Sequence, residues 1–281
     1  MKKMLIATDF SPAATHAAEY ACCLASYTGQ DLLLIHVFSV PRPMVAEGTA
    51  MLISDLYERA EAESLSSLDA LKVHLMREIS ANAIDTGFMP EISVVSVIGK
   101  AEMTIQSFFS EHEISMVVLG INPGRRNLPR LMGSILHHLI KREVMPLLLV
   151  PANYCFKPVK RIVFSSNLLA SEIVLMAMVN HILSAFNSEL LIFHHSQSDD
   201  EQSSPLKTAE AFLNQVCQQL DFSRIYYHPA NGQSLELELA DFLDQQLADM
   251  LVMVHRQHSF VGQLFGQDRT LLMVARTEVP L

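Results

Sequence analysis

The stretch from Met116 to Pro151 contains the feature that most restricts how this chain can fold. It begins with a short apolar run rich in β-branched residues and continues through a loop that contains Pro, Gly and Asn. A helical pattern opens at Gly133-Ser134, and a second apolar run, Met145–Pro151, follows it. Short apolar runs separated by a helix indicate neighbouring parallel strands that are buried on both faces. The chain is therefore predicted to contain a parallel sheet covered by helices.

The loop between these two strands ends where the helix begins, and this is a natural position for an anion. The first backbone N–H groups of a helix have no partner within the helix, and the helix dipole favours negative charge beside them. Ser134 offers a hydroxyl at that point, and Arg125 and Arg126 add charged donors in the loop. The segment therefore predicts a phosphate site, although Ser134 is also a residue that simply caps a helix.

The first half of the chain alternates strand-like and helix-like stretches. Ser11 and Pro12 mark the start of the first helix, as its N-cap and first helical residue, and Gly29 marks its end. This alternation implies right-handed crossovers and a parallel sheet. The predicted strands are Met4–Thr8, Leu32–Val37 and Ile92–Ile98, and the predicted helices are roughly 12–28, 50–82 and 101–110.

The same order of elements recurs in the second half. Arg161–Phe164 corresponds to the first strand, Leu190–His195 to the second and Met250–Val254 to the fourth. This repeat predicts two copies of one α/β unit, residues 1–152 and 157–281, joined by a short linker. We expect the last strand of the second copy to be truncated or absent, because Val279–Leu281 stand where the first copy continues into a full strand.

The glycines of the first half resemble the nucleotide motif of the universal stress protein family. That motif is Gly, two residues, Gly, nine residues, Gly, then Ser or Thr. The spacing from Gly120 to Gly133-Ser134 fits it, but Pro123 stands at the inner glycine position and Gly124 follows one place late. The segments ATDFS and LLLIHV near the N-terminus carry the same likeness. The resemblance implies a tandem member with two open parallel-sheet domains, Rossmann-like and similar to adenine-nucleotide alpha hydrolases.

The resemblance also implies an adenine-nucleotide site in the first half, for ATP or AMP, with or without Mg²⁺. In nucleotide-binding members the position matching Asp9 lies beside the nucleotide, the backbone of the position matching Val37 reads adenine, and the Gly-Ser pair binds phosphate. Asp9 and Gly120 also have structural readings, as a helix cap and a strand-end turn. Pro123 lacks an N–H and restricts φ, so its effect on binding stays open. The expected nucleotide-binding residues are Thr8, Asp9, Val37, Gly120, Gly124, Gly133 and Ser134.

The second half departs from the motif. Asn167 replaces the aspartate after the first strand, and no Gly-x-x-Gly follows the fourth strand. Asp268 stands where Ser134 would be, and a carboxylate there repels phosphate. We therefore expect nucleotide only in the first half and a structural or dimerising role for the second. An apolar contact patch of Phe260, Leu264 and Phe265 is a candidate surface for that role.

Other residue clusters predict no further site. The pairs His255/His258 and His194-His195 have no cysteine or patterned carboxylate to complete a metal site. Adjacent histidines His137-His138 do not face one ligand on a helix, and Cys22-Cys23 on an apolar helix is typical of a core. We therefore predict neither a metal site nor a redox site.

Charge and hydropathy narrow the class of partner. A net charge of −10 argues against a general nucleic-acid or anionic-membrane surface. No apolar run reaches the roughly 18–20 residues that a membrane span needs. Four cysteines without a CxxC pair, and no recognisable signal peptide, favour a reducing, cytoplasmic location.

These patterns favour a stress-response regulatory protein whose first domain binds ATP or AMP and whose second domain is structural or mediates dimerisation. The alternative is an interaction module that binds no nucleotide. The loop has no GK[ST] and so is not a Walker motif. No Ser-His-Asp or Cys-His arrangement stands at motif spacing, so catalysis is not assigned beyond slow ATP hydrolysis at most. The sequence leaves open the choice of nucleotide, the partner, the stress signal and the oligomer geometry.

Overall fold

Two compact units, Met1–Asn153 and Tyr154–Leu281, make up the chain. A computed structural model describes residues 2–40, 49–81, 87–122, 135–140, 145–196, 205–220, 222–232, 234–255 and 269–281. Each unit is a parallel sheet with helices between its strands. The predicted fold class, two open parallel-sheet α/β units, is confirmed.

The first unit contains a five-stranded sheet in the order β3-β2-β1-β4-β5. Its strand order reverses beside β1, because the chain moves outward from β1 to β3 and then returns to β4 on the other side. Such a reversal creates the crevice in which open α/β sheets bind ligands. Its elements are β1 (Lys3–Ala7), α1 (Pro12–Thr28), β2 (Asp31–Phe38), α2 (Thr49–Ala81), β3 (Ile92–Ile98), α3 (Ala101–Glu111), β4 (Ile114–Ile121), α4 (135–140) and β5 (Leu147–Pro151).

Helix α1 begins and ends where its capping residues predicted. The hydroxyl oxygen of Ser11 accepts a hydrogen bond from Ala14 N–H at 3.3 Å, and Pro12 occupies the first helical position. Gly29 adopts φ 65°, and its N–H donates to the Ala25 carbonyl. A left-handed C-cap of this kind strongly favours glycine. The alanine-rich face of α1 is buried, so small residues allow this helix to lie close to the sheet.

The second unit contains a four-stranded parallel sheet in the order β8-β7-β6-β9 among its described residues. Pro229 lies in its edge strand β8, where a residue without an N–H is tolerated. Helix α8 was not predicted. The elements are β6 (Arg161–Ser165), α5 (Ala170–Phe186), β7 (Glu189–His195), α6 (Pro205–Leu220), β8 (Ile225–Ala230), α7 (Leu235–Gln245), β9 (Met250–Met253) and α8 (Arg269–Arg276).

The last residues of the second unit lie where the first unit starts its fifth strand. Leu251 N–H donates to the Pro280 carbonyl at 2.9 Å, just as Val117 N–H donates to the Pro146 carbonyl at 2.9 Å. Leu281 packs against the core of the second unit. Within the described ranges of this unit, no fifth strand accompanies β9.

The longest apolar stretch of the sequence, Ile173–Phe186, belongs to helix α5. Within the described ranges, no helix combines the length and apolarity that a membrane crossing needs.

Candidate functional site

The carboxyl ends of β1, β2 and β4 bring four of the predicted site residues to one edge of the first sheet. Thr8 and Asp9 directly follow β1, Val37 is near the end of β2, and Gly120 is near the end of β4. Parallel strands end at the same edge, and β1 lies between β2 and β4. The predicted residues Gly124, Gly133 and Ser134 lie outside the described residues, as do Pro123, Arg125 and Arg126.

The turn from β1 into α1 is organised by the side chains of Thr8 and Asp9. Thr8 Oγ1 accepts a hydrogen bond from Phe10 N–H at 3.0 Å, and Asp9 Oδ1 accepts one from Ser11 N–H at 3.0 Å. Thr8 is buried, whereas Asp9 is exposed. The Asp9 carboxylate therefore organises the turn, whereas the N-cap of α1 is Ser11. An exposed carboxylate at this edge also remains within reach of a ligand.

Val37 directs its backbone past the end of β1. Ile35, two residues earlier on β2, accepts a hydrogen bond from Thr8 N–H at 3.0 Å, and Phe38 accepts one from Gly99 N–H on the opposite side of the strand. Successive residues of a strand direct their backbone groups to alternate sides, so Val37 points the same way as Ile35. The pairing of β1 with β2 ends at Ile35. The N–H and C=O of Val37 therefore face the space where β1 has already turned away.

Gly120 lies against the start of α1, where no side chain fits. A Cβ built on Gly120 would lie 2.1 Å from the Ala13 carbonyl oxygen and 2.4 Å from its carbon. Both atoms belong to the backbone, so the contact cannot be relieved by moving a side chain. Gly120 is therefore more than a strand-end turn, since the close approach of β4 to α1 requires glycine there.

Sequence reasoning missed a second feature of this edge, a histidine bonded within a polar cluster. His36 Nδ1 lies 2.8 Å from Ser64 Oγ of α2, and that hydroxyl lies 2.5 Å from Ser96 Oγ of β3. The Phe10 ring lies against His36, with ring centroids 4.6 Å apart. Burial lowers the pKa of His36, and the Asp9 carboxylate opposes that shift. The lowered pKa favours the neutral imidazole next to Val37, and the contacts responsible are distant in sequence.

The turn at the corresponding edge of the second unit is held by hydrogen bonds from its own side chains. Ser166 follows β6 as Thr8 follows β1, and Ser166 Oγ donates to Glu172 Oε2 at 2.6 Å. Asn167 N–H donates to the same carboxylate at 3.1 Å. His194 Nδ1 donates to the Ser166 carbonyl at 2.9 Å, because a carbonyl can only accept. Glu172 is 1% exposed.

Two predictions about the second unit can be placed on these residues. Asn167 occupies the position of Asp9, since each lies two residues after the first strand of its unit, β6 or β1. Val254 occupies the position of Gly120. Met116 and Met250 have matching register positions in their sheets, Gly120 lies four residues after Met116, and Val254 lies four residues after Met250. The residues Asp268, His258, Phe260, Leu264 and Phe265 lie outside the described residues.

Two of the paired histidines have hydrogen-bond partners within the second unit. His195 Nε2 lies 3.0 Å from the Gly232 carbonyl, and His255 Nδ1 lies 3.2 Å from Thr270 Oγ1. In the described part of the chain, no three His, Cys, Asp or Glu side chains are grouped as metal ligands would be. Burial raises the pKa of the Cys22 thiol to about 12 and that of the Cys23 thiol to about 11, which disfavours the reactive thiolate.

Comparison with known proteins identifies a family for the first unit and solved structures of similar fold for the whole chain. The profile of the universal stress protein family matches residues 1–151. Universal stress protein MJ0577 of Methanocaldococcus jannaschii is 24% identical over 155 residues, which are 53% of this chain and 94% of that protein. A universal stress protein from Archaeoglobus fulgidus matches with a TM-score of 0.68 and 15% identity, over 99% of this chain and 96% of that one. The functionally unknown protein PA1789 from Pseudomonas aeruginosa matches with a TM-score of 0.53 and 13% identity, over 100% and 91%. At these identities the two structures show a shared fold.

Proposed function

Because this chain belongs to the universal stress protein family, we propose that it is a stress-response regulatory protein that binds an adenine nucleotide, ATP or AMP, in its first unit. The observation that carries this proposal is the direction of the Val37 backbone. Its N–H and C=O face the space past the end of β1, beside the point where the strand order reverses. A donor and an acceptor on one residue suit the edge of a planar purine base.

The proposed site combines the Val37 backbone with the turn that follows β1. Thr8 and Asp9 bound it on one side, and Gly120 lets the end of β4 approach the start of α1 closely. Gly124, Gly133 and Ser134 are proposed to supply backbone N–H groups and a hydroxyl to phosphate, with or without Mg²⁺. The base and phosphate groups would then occupy opposite ends of one crevice.

The second unit is proposed to be structural or to mediate dimerisation, and we propose domain limits of 1–152 and 157–281. Two differences support the absence of nucleotide there. Glu172 places a carboxylate on the turn after β6, and Val254 stands in the position of Gly120. A carboxyl group beside this edge disfavours a phosphate-bearing ligand.

We also propose a cytoplasmic location and no nucleic-acid or membrane partner. All four cysteines are unpaired thiols, which suits a reducing compartment. The net charge of −10 disfavours polyanionic partners.

The proposal is tested by releasing bound small molecules from freshly purified protein for mass spectrometry, followed by calorimetric titration with ATP and AMP. We expect one nucleotide per chain. Ser134→Asp should abolish binding, because it places negative charge at the phosphate position. Ser110→Asp, the same change at an exposed position on α3, is the matched control and should bind as the unchanged protein does.

Two results would contradict this assignment. If Ser134→Asp folds normally and keeps its affinity, the phosphate site is elsewhere. If the unchanged protein neither carries nucleotide nor gives heat with ATP or AMP, the chain is instead an interaction module that binds no nucleotide.

A further inference from the structure

Helix α5 of the second unit presents an apolar face to solvent. Val174 is 61% exposed and Met178 is 57% exposed, and Leu169 and Leu175 beside them are exposed as well. Single exposed apolar residues are common on soluble proteins, but contiguous ones on one helix usually mark a contact surface. This exposure is a finding of the structure.

The same helix carries no charge on its exposed side. Lysine and arginine are absent from α5, and its one acidic residue, Glu172, is 1% exposed. The chain as a whole has a net charge of −10, so two copies repel one another over most of their surfaces. An uncharged helix face is where two such copies can meet with the least repulsion.

The exposed residues follow the spacing of a helix-packing seam. Ser171, Val174, Met178, His181 and Ala185 are all exposed and are separated by three, four, three and four residues. We call these five residues the α5 stripe. An average spacing of 3.5 residues is the repeat that keeps one helix in contact with another along its length. The stripe therefore fits a helical partner better than a strand or an extended peptide.

The equivalent helix face of the first unit is buried at its centre. Helices α1 and α5 each have 17 residues and occupy the same place in the repeat, so Tyr20 corresponds to Met178. Tyr20 is 1% exposed, against 57% for Met178. His74 of α2 bonds to Glu19, beside Tyr20, at 2.7 Å.

We propose that the α5 stripe is a self-association surface that packs antiparallel against the α5 stripe of a second copy of this chain. With Met178 on the twofold axis, Val174 faces His181 and Ser171 faces Ala185. Every residue of the stripe thus finds a partner within the stripe, as an isologous contact requires. This specifies the dimerising role proposed for the second unit and does not depend on nucleotide binding.

The length of the stripe sets the expected strength of the dimer. From Ser171 to Ala185 a helix rises about 21 Å. Contact over one helix face of that length is smaller than the interface of a tight complex. We therefore expect a reversible dimer with a dissociation constant in the micromolar range rather than an obligate one.

Sedimentation velocity over a concentration series tests the proposal with a matched pair of variants. Met178→Glu should weaken dimerisation about tenfold or more, because it buries a carboxylate at the centre of the contact. Leu237→Glu makes the same change at a residue of α7 that is 59% exposed, and it should leave the dimer unchanged. Mixing Met178→Glu with Met178→Lys should restore a dimer, since opposite charges then meet on the axis.

Each outcome has a definite meaning. A protein that stays monomeric up to millimolar concentration, or a Met178→Glu variant that dimerises as well as Leu237→Glu, overturns the proposal. Circular dichroism of both variants establishes that they are folded. Titration of Met178→Glu with ATP separates this proposal from the nucleotide proposal, because unchanged affinity is expected whether or not the stripe mediates dimerisation.

Discussion

The turns that follow β1 and β6 have the same backbone conformation, but different side chains surround them. Phe10 and Leu168, at matching positions, adopt φ 59° and 58°, and each donates its N–H to the hydroxyl two residues earlier. In the first unit the next helix then lies close to the sheet, because Gly120 admits it. In the second unit Glu172 fills the turn instead. The turn geometry is therefore a property of the fold that both units share. The residues around the turn determine whether this edge of the sheet is accessible to a ligand.

Gly120→Val introduces the residue of the second unit into the first and should have the largest effect. Its Cβ would overlap the Ala13 backbone, so either α1 moves away or the end of β4 shifts. We expect a loss of about 3 kcal/mol in the stability of the first unit. Hydrogen exchange followed by mass spectrometry measures the two units separately through their own peptides.

The reciprocal change, Val254→Gly, is the control for this prediction. It removes a half-buried side chain without creating a backbone collision, so we expect a smaller loss, about 1 kcal/mol, confined to the second unit. Equal effects of the two changes would show that the close approach at Gly120 is unimportant.

Much of the structure around these two turns could be predicted from the sequence, and part could not. The caps Ser11, Pro12 and Gly29 act within one turn of chain, so their roles follow from local rules. Asn167 at the position of Asp9 follows from the repeat alone. The bonds of Glu172 could not be predicted, because they require a carboxylate to turn back into the loop that precedes its helix. The only signal was one acid in an otherwise uncharged helix.

Helix α5 is a second element whose surroundings could not be predicted from its own sequence. Its apolar sequence alone does not reveal which of its faces the rest of the unit covers. Met178 is 57% exposed although its counterpart in the first unit, Tyr20, is 1% exposed. Likewise the bond between His36 and Ser64 joins residues 28 positions apart.

Glu172→Ala gives the second unit the residue that the first unit has at Ala14, and should have the next largest effect. The change leaves Ser166 Oγ–H and Asn167 N–H without the acceptor they have now. Buried donors without acceptors are costly, so we expect the second unit to lose about 2 kcal/mol. The same exchange measurement should show the first unit unchanged.

Glu172→Gln separates the two contributions of this side chain. It keeps an oxygen that accepts one hydrogen bond and removes the charge, so its loss should lie between those of the unchanged protein and Glu172→Ala. If Glu172→Ala is as stable as the unchanged protein, Glu172 does not hold the turn, and the contrast between the two edges rests on Val254 alone.

The smallest expected effect is a loss of stability of the first unit at acidic pH, which we attribute to His36. Burial lowers the pKa of His36 in the folded protein, so the unfolded chain binds the proton more readily. Stability of the first unit should therefore fall as pH drops through the ordinary histidine pKa of about 6.5 towards the lowered value. His36→Gln should reduce this acid sensitivity, as exchange at several pH values would measure. Asp9→Asn should increase it, because the Asp9 carboxylate raises the pKa of His36. If His36→Gln leaves the acid sensitivity of the first unit unchanged, another group causes it. His36 would then not distinguish the edge of the first unit from that of the second.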